Sequence, residues 1–126
     1  MLAEDKGLRV VYRELPILGP DSVTAARLSL EASQAGRFLK FHDTLWATGR
    51  PSPEVNAAAA QAAGVAPQPK EDAAIEAELK RNFQLAGQLG ATGTPLFVIG
   101  DRVLNGAVGY DALKQAIAAA RSKKSS

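Results

Sequence analysis

Apolar positions follow two rhythms along this chain, and the rhythm changes near residue 90. From Leu8 to Leu15, Val10, Val11 and Tyr12 favour extended backbone and Pro16 ends the run, so a first strand is expected over 8–15. Pro16-Ile17-Leu18-Gly19-Pro20 leads out of it as an irregular connection. Asp21 is placed to cap a helix from Ser22 to about Ala35, with Val23, Ala26 and Leu30 on one face and Gly36 as its stop. Phe38, Phe41 and Leu45 recur at helical spacing, predicting a second helix from Arg37 to about Ala47, closed by Gly49. Ser52-Pro53 is a restart, because serine caps and proline fits the first helical position; that helix runs to about Ala63 and stops at Gly64. Beyond the loop Ala66-Pro67-Gln68-Pro69, a longer helix is expected from about Lys70 to Leu89. Ile75, Leu79, Phe83, Ala86 and Leu89 stripe it, Glu76 and Lys80 form an i,i+4 pair on its outer side, and Gly90 terminates it.

After Gly90 the spacing shortens. Leu96 to Ile99 reads as a short apolar strand, Gly100-Asp101 as a hairpin turn, and Arg102 to Leu104 as the returning strand, broken by Asn105-Gly106. A final helix is expected from about Tyr110 to Arg121, with Leu113, Ile117 and Ala120 inward, and residues 122–126 as a frayed tail. The predicted order is β-α-α-α-α-β-β-α, an α/β chain without internal repeat. It reads as a single domain over 1–126, with a helical insertion at 21–89 and a loop, hairpin and helix at 90–121.

Composition sharpens this picture mainly by exclusion. A chain of 126 residues with 46% hydrophobic and 22% charged residues can bury a core without staples. The net charge of +2 is mildly basic, and Arg121, Lys123 and Lys124 hold much of the excess at the end of the chain. No aromatic residues interleave with these charges, so nucleic acid is not an expected partner. There is no cysteine, which removes disulfides, thiolate metal sites and thiol nucleophiles together. The single histidine, His42, rules out a His-based metal cluster within one chain, and neither a metal nor another cofactor is expected. No stretch is apolar enough to enter a membrane, and Met1-Leu2-Ala3 runs straight into Glu4-Asp5-Lys6 without the form of a signal peptide.

Three stretches carry a resemblance. They are Arg9-Val10-Val11-Tyr12-Arg13-Glu14-Leu15-Pro16-Ile17-Leu18-Gly19, then Phe41-His42-Asp43-Thr44-Leu45, then Leu89 to Gly100 with its core Gly93-Thr94-Pro95-Leu96-Phe97-Val98-Ile99. The last continues into Gly106-Ala107 and Tyr110-Asp111-Ala112-Leu113 and is the most specific. Together they resemble DsbA-like thioredoxin-fold disulfide oxidoreductases over nearly the whole chain. The resemblance implies a cis peptide bond before Pro95 and a peptide-contacting loop at Thr94 and Pro95, where the backbone pairs with substrate by β-augmentation. It implies unfolded peptides or protein thiols as partners, and a periplasmic or otherwise extracytoplasmic setting for an intact family member.

The departure from the family is as informative. Complete members begin with a strand and a Cys-x-x-Cys motif at a helix N-terminus, where the first thiol becomes reactive. This chain reads as an incomplete, truncated thioredoxin-like fold that starts after that unit, and no catalytic residue is assigned in it. His42 sits on the apolar stripe and reads as a packed helix histidine, and Trp46 and Tyr110 read as packing residues with a polar tip. Gly93 and Gly106 read as backbone-geometry residues, with no phosphate-loop pattern around them. In the family the absent strand lies between those matching 8–15 and 96–99. Its absence predicts one of two remedies: the 8–15 strand shifts into the slot, or two chains intertwine as a homodimer and share strands. The functional readings are a truncated DsbA-like thiol-disulfide oxidoreductase, or a redox-inactive peptide-binding or oligomerisation module. A glutathione-using relative is a third, and its reactive residue would also belong to the absent strand and helix.

Overall fold

The computed structural model describes residues 2–125. Five helices and one hairpin follow in the order α1 (Pro20–Gln34), α2 (Phe38–Thr48), α3 (Pro53–Ala63), α4 (Ala73–Gln88), β1 (Leu96–Ile99), β2 (Arg102–Asn105) and α5 (Tyr110–Ser125). The residues gather into two compact units, one spanning Glu14–Phe83 and the other Met1–Arg13 with Gln84–Ser126.

The helical unit is built on small residues. Leu28 and Ala32 of α1, Phe41 of α2, and Ala59, Ala60 and Ala63 of α3 form one buried cluster, flanked by Leu45 and Val65. Alanine at these positions lets three helix backbones approach closely around the one large ring, Phe41. A second cluster joins Ala26 to Ile75 and Leu79 of α4, with Leu30 beside it. Local chemistry sets the helix ends. Ser52 Oγ accepts the Val55 N–H at 3.1 Å, and Pro53 follows it, as the sequence pattern requires. At α4, Asp72 accepts the N–H groups of Ala74 and Ile75 at 2.9 and 3.3 Å, so the helix begins at Ala73 and not at Lys70. Asp21 does not cap α1. Gly19 holds that position, its carbonyl taking the N–H groups of Ser22 and Val23, and Pro20 opens the helix.

Two further expectations for α4 are corrected by specific contacts. Glu76 is engaged by Arg27 of α1 at 2.6 Å, so its ion pair runs between helices and not along α4. Asn82 is buried and donates its amide to the Glu14 carbonyl at 2.9 Å, while Phe83, expected on the buried stripe, is 45% exposed. A polar partner for a buried backbone carbonyl has set the facing of that turn.

In the second unit the hairpin pairs Leu96 with Asn105, Phe97 with Leu104, Val98 with Val103 and Ile99 with Arg102, antiparallel. The expected strand at Leu8–Leu15 does not form, so the observed order is α-α-α-α-β-β-α. β-branched side chains favour extended backbone, but a strand also needs a neighbouring strand for its N–H and C=O groups, and among the described residues none pairs with it. The first remedy is therefore not adopted: the sheet has two strands among the described residues, and residues 8–13 do not join β1. Helix α5 continues one turn beyond Arg121 to Ser125, so 122–125 are helical and only Ser126 of the expected tail lies outside the described residues. Of the apolar residues described in this unit, only Ala116 is fully buried. The incomplete sheet explains why: a two-stranded hairpin with one helix has little apolar surface to close over.

Candidate functional site

The loop around Thr94 and Pro95 is positioned from both sides. On its approach, α4 closes in a Schellman motif: Gly90, at φ +71°, donates to the Gly87 carbonyl at 3.2 Å, and Ala91 donates to Ala86 at 2.9 Å. Glycine reaches this left-handed conformation without a Cβ penalty. On its exit, the Gly106 N–H donates to the Pro95 carbonyl at 2.8 Å, and Asn105 Oδ1 accepts the Thr92 N–H at 3.4 Å. The Thr94–Pro95 peptide bond is cis, and both residues are exposed.

The ladder also defines which backbone groups point away from it. Because Pro95 and Gly106 form a hydrogen-bonded pair, antiparallel alternation makes 97 with 104 and 99 with 102 the next such pairs. Leu96 and Val98 therefore direct their N–H and C=O groups off the open edge of β1. That edge continues directly from Thr94. The groups that edge presents are backbone donors and acceptors, which carry little sequence information.

The chain has no cysteine, and among the described residues no group of three or more His, Cys, Asp or Glu side chains could hold a metal. His42 belongs to the helical unit. It lies half-buried on α2 with its ring stacked on Phe38 at 5.3 Å and tilted against Trp46 at 5.9 Å. Trp46 is 75% exposed, so it is a surface residue and not the packing residue expected. Tyr110, also expected to pack, is 43% exposed, and its hydroxyl donates to the Glu4 carboxylate, a bond that raises its pKa.

Two polar arrangements escaped the sequence pattern. The first is a cleft of about 150 Å³ in the hairpin unit, lined by Glu4, Asp5, Tyr110, Lys114 and Arg121 among others. Arg121 grips Asp5 there through two bonds of 2.8 and 2.9 Å and holds its carboxyl below the usual range. Neither Thr94 nor Pro95 lines this cleft. The second is Glu14, whose carboxylate accepts the Ser29 hydroxyl at 2.8 Å in the helical unit. Burial pushes its pKa up, more strongly than the Ser29 bond lowers it. Only Asn105, as a residue able to bond backbone across a turn, carried a signal in the sequence; the other pairings join residues far apart in the chain.

Comparison with known proteins places this fold. The chain matches the DSBA-like thioredoxin domain over residues 1–118, and it belongs to that family. Among solved structures it is similar to a thioredoxin-like oxidoreductase from Silicibacter pomeroyi DSS-3, at 32% identity and a TM-score of 0.86, covering 96% of this chain and 73% of that one. It is also similar to a periplasmic thioredoxin-like protein from Salmonella enterica serovar Typhimurium, at 32% identity and a TM-score of 0.75 over 86% of this chain and 63% of that one. Proteus mirabilis ScsC, in a compact conformation, matches at 27% identity and a TM-score of 0.80, over 97% of this chain and 70% of that one. No curated protein matches. The thioredoxin-like assignment, with an incomplete sheet and no cysteine, agrees with the two-stranded hairpin and five helices described above.

Proposed function

We propose that this chain is the peptide-docking portion of a DsbA-like thiol-disulfide oxidoreductase whose redox cysteines are supplied by polypeptide other than residues 1–126. The observation that carries the reading is the exposed Thr94–Pro95 loop, fixed at Gly106 and Asn105. Family membership and the likeness to thioredoxin-like oxidoreductases support the class of chemistry. In that chemistry two substrate thiols are oxidised to a disulfide while the enzyme's own disulfide is reduced to a dithiol, so electrons and protons balance between the two pairs. The role of Thr94 and Pro95 is to hold an extended segment of the substrate while exchange proceeds elsewhere.

Two measurements test this. Intact mass of the protein from its native host should show a species heavier than 13.2 kDa that contains cysteine. A mass equal to residues 1–126 would overturn the oxidoreductase assignment and leave a redox-inactive peptide-binding or oligomerisation module as the reading to test. Fluorescence anisotropy with a labelled unfolded peptide tests the loop itself. Thr94→Arg and Pro95→Ala should each weaken binding at least about tenfold, or ~1.4 kcal/mol. Unchanged binding in both would remove the loop from the function.

A further inference from the structure

We draw no further inference here: the strongest candidate, the aromatic row of Phe38, His42 and Trp46 along α2, in which Trp46 is 75% exposed, carries no proposal because nothing in the structure shows what covers it.

Discussion

Replacing Phe41 with alanine tests the packing of the helical unit most directly. Its ring is 0% exposed and is enclosed by Leu28, Ala32, Ala59, Ala60 and Ala63. Four of these five neighbours are alanines, which have no side-chain rotation with which to fill a void. Collapse would require helix backbones to move, and close-packed interiors resist that. Large-to-small aromatic substitutions cost about 3–5 kcal/mol, and this site belongs near the top of that range. A folded unit of this size has ~4–10 kcal/mol of stability in total, so F41A should be marginal. Urea unfolding followed by circular dichroism measures the loss as a lower midpoint at unchanged slope. Leu39, on the same helix and 62% exposed, supplies the control, and Leu39→Ala should stay within about 0.5 kcal/mol of wild type. A loss below ~1.5 kcal/mol for F41A would refute the reasoning, because it would mean that the alanine faces do close around the cavity.

Ser52→Ala removes the oxygen that accepts the Val55 N–H and should cost about 1 kcal/mol in the same unfolding assay. Gly64→Ala places a Cβ at φ +71°, 2.6 Å from Arg37 Nη1, and should cost at least ~1 kcal/mol; Arg37→Ala in the same background should relieve the steric part only. Glu14 has its folded-state pKa raised by burial, so folding favours its protonated form. Its contribution to stability is therefore greatest below the ordinary carboxylate pKa and is lost as pH rises through the folded-state value. Glu14→Gln keeps an acceptor for Ser29 and removes the buried charge, so it should be more stable than wild type at neutral pH, with the difference vanishing in acid. A pH series of unfolding midpoints that shows the reverse slope would refute that assignment.

Much of the local structure was legible in the sequence because it is decided by residues a few positions apart. Ser52-Pro53 opens α3 and Gly64 closes it, Leu96–Ile99 forms a strand, and Gly100-Asp101 turns it back. The family pattern through Gly93-Thr94-Pro95 likewise located the loop and its cis bond. Thiol chemistry requires a sulfur atom, so the absence of cysteine is enough to show that residues 1–126 contain none.

Tertiary structure decided what depends on distant partners. Val10, Val11 and Tyr12 have the chemistry of a strand, yet a strand exists only where another supplies hydrogen bonds, and among the described residues the sheet holds two strands alone. Glu76 sits correctly for Lys80, but Arg27 reaches it from α1. Asn82 displaces Phe83 from the buried face of α4 because the Glu14 carbonyl needs a donor there. Helical spacing shows which residues can share a face; which face is buried depends on what the rest of the chain brings against it, since burial and hydrogen bonding are satisfied across the fold and not along the sequence.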